Sequence, residues 1–183
     1  MKKEYAYKDI IFAVIMYIFL VFISNYYKYE IIYDTVIIVE ESFYSILFLS
    51  NNIIICLVAM SFLVVIIFLV WFTSDAGKVL TRGEFIYGST FLIFTLCLFE
   101  LIKFGYILFY LEDEIEKITI DKNFLANIKN IDFALFSDYL SYLSYLIGSI
   151  VFVSVFNYRK KEIKIIAIGL MYLIYLSFIK YIF

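Results

Sequence analysis

Residues 42–74 contain no charged side chain, and within them 53–72 run from Ile53 to Phe72 without a charge, a Pro or a Gly. A helix needs about 20 mostly apolar residues to cross a hydrocarbon core about 30 Å thick. This run therefore predicts a transmembrane helix, with Trp71 at its end, where an indole sits well at headgroup level. The chain then divides into further spans of the same kind, near 10–26, 85–104, 136–156 and 163–183. The pattern predicts an all-α polytopic bundle of five transmembrane helices, folded as a single integral-membrane domain over 1–183.

The stretches between spans are short and polar. Lys2, Lys3 and Lys8 precede the first run, which lacks a small-x-small cleavage pattern and is expected to stay as an uncleaved helix. The apolar patch at 31–39 is too short to span and is expected at the membrane surface, as a brief helix or an extended piece. The third run stays apolar to Leu111 except for Glu100 and Lys103. It exceeds the bilayer core, so it either tilts strongly or yields near Gly105. Residues 112–132 are the longest polar segment. Phe124, Leu125, Ile128 and Ile131 recur there at helical spacing after Asp121, which predicts a short amphipathic helix lying on the membrane.

Composition agrees with lipid as the solvent: 65% of the residues are hydrophobic and the mean hydropathy is +0.97, too apolar for a water-soluble domain of 183 residues. The absence of His removes the usual general base, zinc ligand and near-neutral switch. Cys56 and Cys97 lie inside apolar spans and read as small hydrophobes. No metal cluster, cofactor motif or nucleic-acid patch is expected, and Gly77-Lys78 lacks the rest of a phosphate loop.

Charge sets an expected orientation. Alternate segments place Lys2, Lys3, Lys8, Lys78, Arg82, Arg159, Lys160, Lys161 and Lys164 on one side, while most acidic residues fall on the other. Basic residues in short loops stay cytoplasmic, so the N-terminus is expected inside and the C-terminus outside.

Three groups of residues are candidates for function. Glu100 and Lys103 form an intramembrane polar pair, read either as a structural pair near the outer interface or as an ion or substrate site. Ser141, Ser144 and Gly148 present a small-residue face to a neighbouring helix, or else line a polar cavity. Arg159, Lys160 and Lys161 make a basic cytoplasmic turn that anchors the chain or attracts anionic lipid or an acidic partner. Asp138, Asn51 and Asn52 are read as solvated positions at span ends.

The layout resembles the Yip1 domain family, with five spans, a cytoplasmic N-terminus and a tight basic turn before the last helix. Ser74-Asp75-Ala76-Gly77-Lys78-Val79-Leu80-Thr81-Arg82 is similar to that family's Gly-containing basic connection, followed by Tyr87-Gly88-Ser89 at the start of the third span. Phe136-Ser137 through Leu146-Ile147-Gly148 resembles its penultimate helix. Tyr158-Arg159-Lys160-Lys161 with Ile165-Ile166 resembles its final turn and helix. The family's common Pro in the third span is absent, and Glu162 stands where a small residue is usual. The resemblance implies a non-catalytic scaffold or adaptor of the bacterial inner (plasma) membrane, whose partners are the bilayer and a membrane protein or a further copy of itself. The competing expectation is a membrane subunit of a transporter or exporter, or a small toxin-immunity protein. An intramembrane enzyme would need a polar cavity around Glu100.

Overall fold

A computed structural model describes residues 3–36, 41–116, 132–160 and 163–182. These form helices α1 (Lys3–Val36), α2 (Glu41–Thr73), α3 (Arg82–Glu116), α4 (Asp132–Lys160) and α5 (Ile163–Ile182), with a 3₁₀ turn at Ala76–Lys78. Among the described residues there is no strand. Helices are what long apolar runs must form in lipid, because each backbone N–H and C=O has to find its partner within the segment. With no Pro in the chain, nothing interrupts them.

Four helices are long and apolar enough to cross a membrane, over Tyr7–Ile32, Phe48–Thr73, Arg82–Ile115 and Asp132–Phe156. The apolar part of α5, Ile163–Phe178, is shorter. Large apolar side chains face outward along these helices, among them Phe12, Phe19, Ile54, Phe68 and Phe109. The chain is thus an all-helical bundle with an apolar exterior, as expected of a protein solvated by lipid.

The turn from α2 to α3 is set by local chemistry. Asp75 adopts the left-handed conformation, with φ 52°, and its carboxylate pairs with Lys78 Nζ at 2.7 Å. Asp tolerates this region better than most residues. Thr81 and Glu84 then cap α3 reciprocally: Glu84 Oε2 accepts the Thr81 N–H at 2.8 Å, and Thr81 Oγ1 accepts the Glu84 N–H at 3.3 Å.

The principal packing pairs are α1 with α3, α3 with α4, α4 with α5, and α2 with both α1 and α5, which closes the helices into a ring. Its interior is filled by Phe85, Phe152 and Tyr172, whose ring centroids lie 5.1–6.0 Å apart. Tyr172 OH meets Ser89 Oγ at 2.6 Å in this core, and Ser89 donates its own proton to Phe85 O. Close approach depends on Gly88, where an added Cβ would stand 2.4 Å from the Phe156 ring, and on Gly169, where it would stand 2.4 Å from Val153 Cγ2.

A second, smaller core joins Ile107, Leu111, Ile115 and Phe133, with Ile31, Ile32 and Tyr106 packed on it. It sits at the end of the bundle where α1 and α3 finish and α4 begins. Glu114 holds that corner: its carboxylate accepts the Phe133 N–H at 2.9 Å and the Tyr106 hydroxyl. One sequence expectation changes here. Residues 31–36 are the last turns of α1 rather than a separate surface piece, because no helix breaker precedes them and Ile31 and Ile32 have a core to join. Of the two alternatives for the third run, helix α3 does not yield at Gly105: it runs unbroken through it, with the Tyr27–Phe104 and Tyr106–Phe136 ring contacts on either side. The amphipathic helix expected around 121–131 lies outside the described residues.

Candidate functional site

Glu100 and Lys103 occupy one face of α3, three residues apart, and pair at 3.0 Å with side chains only 14% and 17% exposed. That low exposure separates them from an ordinary surface pair. Lys103 Nζ also donates to Ser141 Oγ of α4 at 3.0 Å. Ser141 is buried and passes its own proton to Ser137 O at 2.8 Å, so its lone pairs are free for ammonium donors. A second ammonium, Lys180 Nζ of α5, approaches the same hydroxyl at 3.5 Å and pairs with Asp138 Oδ1 at 2.6 Å. One serine hydroxyl therefore links lysines from two helices.

Helix α1 borders this network. Tyr27 packs on Phe104, next to Lys103, with ring centroids 5.5 Å apart. Lys28 lies within electrostatic reach of both Glu100 and Lys103, and its Nζ rests 4.9 Å over the Tyr29 ring. Tyr17 and Tyr145 also feel the Glu100 charge. Two lysines thus pair with two carboxylates, Lys103 with Glu100 and Lys180 with Asp138, and Lys28 stands beside them.

The small-residue face of α4 points inward. Ser141 and Ser144 are each 4% exposed, and Ser144 Oγ donates to Ser141 O at 2.7 Å. Gly148 lies against α3, where an added Cβ would come within 3.3 Å of Leu92 Cγ. Arg159 and Lys160 end α4, while Lys161 lies outside the described residues.

Asn52 corrects a sequence expectation. Read as solvated, it is fully buried, and its Nδ2 donates to Phe22 O of α1 at 3.1 Å while its Oδ1 has no partner. It falls on the same stripe of α2 as Cys56 and Leu63, four and eleven residues on, a helical spacing that could have marked it. Asn51 is exposed and donates to Tyr29 OH at 3.3 Å. Asp138 is 61% exposed, but it is tied to Lys180 rather than merely hydrated. Spacing within one helix does not single out Lys28 and Lys180. The signal they carry is depth, since each falls at the same end of its apolar run as Glu100 and Lys103.

The arrangement ties α3 to α4 through Lys103 and Ser141, and α4 to α5 through Asp138 and Lys180. Removing one partner of a buried ion pair costs much, because it leaves the other charge uncompensated. Among the described residues, no group of three or more His, Cys, Asp or Glu side chains is placed to hold a metal ion. No family model, curated protein or solved structure matches the chain. The fold and the network define an all-helical bundle, four of whose helices are apolar enough to cross a membrane, knitted at one end by charge.

Proposed function

We propose that this chain is a non-catalytic, multi-pass protein of the bacterial inner membrane that works by associating with other membrane components. The observation behind this reading is how charge and apolar surface are divided. The buried ionisable groups of α3, Glu100 and Lys103, engage each other and Ser141 of α4, whereas α2 covers only a narrow stripe (Asn52, Cys56, Leu63, Ile66 and Val70) and leaves Ile54, Val64, Phe68 and Phe72 outward. A surface of that kind suits helix-to-helix association in lipid. The reading includes five spans with the N-terminus cytoplasmic, supported by the basic residues gathered at one end of the bundle.

Two measurements test it. Crosslinking in membranes, followed by purification in detergent, is expected to recover a stoichiometric membrane partner or a further copy, and crosslinks from Phe68 are expected to lead to it. Recovery of the chain as a lone monomer from crosslinked membranes would overturn the reading. A C-terminal reporter should give a periplasmic signal, and a cytoplasmic one would remove the odd span count.

A transport subunit is the second reading, favoured by the position of Glu100 inside the bundle. Glu100→Gln separates the two: loss of an ion- or substrate-dependent phenotype, with partner recovery intact, would replace association by transport.

A further inference from the structure

A line of hydrogen-bonded groups runs from the interior of the bundle to its surface. Glu100 Oε2 meets Lys103 Nζ at 3.0 Å, and Lys103 Nζ meets Ser141 Oγ at 3.0 Å. Ser141 Oγ meets Lys180 Nζ at 3.5 Å, and Lys180 Nζ meets Asp138 Oδ1 at 2.6 Å. The Glu100 side chain at one end is 14% exposed, and the Asp138 side chain at the other is 61% exposed. We infer that Glu100 is a proton-binding site filled from the surface, through Asp138, Lys180, Ser141 and Lys103 in turn.

Charge selects the proton. The groups along the line are carboxylate, ammonium, hydroxyl, ammonium and carboxylate, so a metal cation on it meets Lys103 and an anion meets Glu100. A proton is the one ion that carboxylic acid, amine and hydroxyl can each take up and pass on. Relays of protons are among the roles that ionisable groups inside membrane spans serve. An ion pair made for structure alone accounts for Glu100 and Lys103. It does not call for a second lysine on the same buried hydroxyl, and Lys180 has Asp138 for a partner without it.

The transfer closes link by link. Lys103 Nζ gives a proton to Glu100 Oε2, leaving a neutral acid beside a neutral amine. The amine lone pair takes the Ser141 hydroxyl proton as that hydroxyl turns away from Ser137 O, which keeps the helical N–H of Ser141. Ser141 Oγ takes a proton from Lys180 Nζ across the longest link. Lys180 recovers one from Asp138, whose carboxylate takes it from water. One proton has entered at Asp138, one is held on Glu100, and nothing else is consumed.

Helix α3 packs on α1 and α4, and each brings further groups to the carboxylate. Tyr17 and Lys28 of α1 and Tyr145 of α4 lie within electrostatic reach of Glu100, as does Cys97 of α3 itself. These set how strongly the proton is held, while the line sets how fast it arrives. The inference goes beyond association and gives the second reading its ion.

The test uses the full chain in lipid nanodiscs, with infrared detection of the C=O stretch of a protonated carboxyl group after light-triggered release of protons. The unmodified protein is expected to show this band, and Glu100→Gln should lose it. Ser141→Ala removes the junction and should slow the rise of the band about a hundredfold, the lower end of what a positioned proton carrier contributes. Ser141→Thr keeps a hydroxyl there and should hold the unmodified rate. Lys180→Met cuts the line one link further out and should slow the rise as much as Ser141→Ala. Emission from Trp71 checks that each variant is folded. A band that persists in Glu100→Gln, or no band at any pH at which the fold survives, overturns the site. An unchanged rate in Ser141→Ala or Lys180→Met overturns the path, because a pair that trades protons directly with water is indifferent to both. Proton uptake is read on the purified chain and association in membranes, so either can fail with the other intact.

Discussion

Replacing Lys103 by Met keeps the length of the side chain and removes its charge, so Glu100 is left 14% exposed and without its 3.0 Å partner. The Ser141 hydroxyl loses a donor at the same time. Removing one member of a buried pair costs about 3–5 kcal/mol, and a hydrogen bond to a charged group about 1.5–3 kcal/mol. The two overlap, because the same ammonium makes both, and Lys28 is near enough to take up part of the freed charge. A loss of about 3 kcal/mol follows, which for a chain of this size lowers Tm by about 6–12 °C. The readout is thermal unfolding in detergent followed by the single tryptophan, Trp71, which packs on Phe85 with ring centroids 5.0 Å apart. The double variant Lys103→Met/Glu100→Leu should return to within about 1 kcal/mol of the unmodified protein, since an apolar pair of similar volume replaces the ion pair. Lys180→Met should cost under about 1 kcal/mol, because Asp138 remains 61% exposed and hydrated. If Lys103→Met and Glu100→Leu each cost less than about 0.5 kcal/mol and the double variant equals their sum, the pair is solvated and Lys103 does not hold α3 to α4.

Gly88→Ala forces a methyl to within 2.4 Å of Phe156 and should cost about 1–3 kcal/mol by overpacking, whereas Gly105→Ala meets nothing within 4 Å and should stabilise α3 by up to about 1 kcal/mol; thermal unfolding of the two variants side by side reads both. Tyr172→Phe removes the donor to Ser89 Oγ while Ser89 keeps its bond to Phe85 O, so a loss of about 1 kcal/mol is expected on the same melt. Glu114→Ala strips the acceptor from the Phe133 N–H at the start of α4, and hydrogen exchange should quicken at 106–115 and 133–136 while the Phe85–Tyr172 core keeps its protection.

Helix class was legible because lipid imposes one rule, that apolar runs of sufficient length become helices, and 53–72 or 139–158 satisfy it without help from packing. Helix ends were less legible. Without Pro or Gly at 27–36, nothing local says that α1 should stop at the membrane surface, and it continues because Ile31 and Ile32 meet Leu111 and its neighbours from a distant part of the chain. Thr81 and Glu84 did carry a local signal, the Thr-x-x-Glu spacing of a reciprocal cap, which the hydropathy pattern overshadowed. The Glu100–Lys103 pair could be proposed from its i, i+3 spacing. Its reach to Ser141 and the further link to Lys180 could not, because residue spacing within one helix says nothing about which side chains of another stand at the same level. Asn52 was misjudged for the reverse reason: its place near the end of an apolar run suggested water, while its heptad position put it against Phe22.

The levels of the charged residues bear on why α1 and α3 outrun the bilayer. Counted from Arg82, Lys103 lies about 31 Å along α3, roughly the full thickness of the hydrocarbon core. Glu100 lies one turn short of it, and Asp138, Lys180 and Lys28 reach the same zone from α4, α5 and α1. The network therefore sits where the apolar medium gives way, the depth at which ionic groups can be partly desolvated without the full cost of the membrane centre. Beyond it α3 continues for about 20 Å more, far enough to build the Ile107–Leu111–Ile115 core with Phe133 and the end of α1. That second core is small, and by area alone it would hold poorly. It is held by Glu114, which accepts the Phe133 N–H, and by the register that the Lys103–Ser141 bond gives α3 and α4 and the Tyr27–Phe104 ring contact gives α1 and α3. Polar and aromatic contacts at this level thus supplement hydrophobic burial in the second core: they set the relative positions of the three helices that build it.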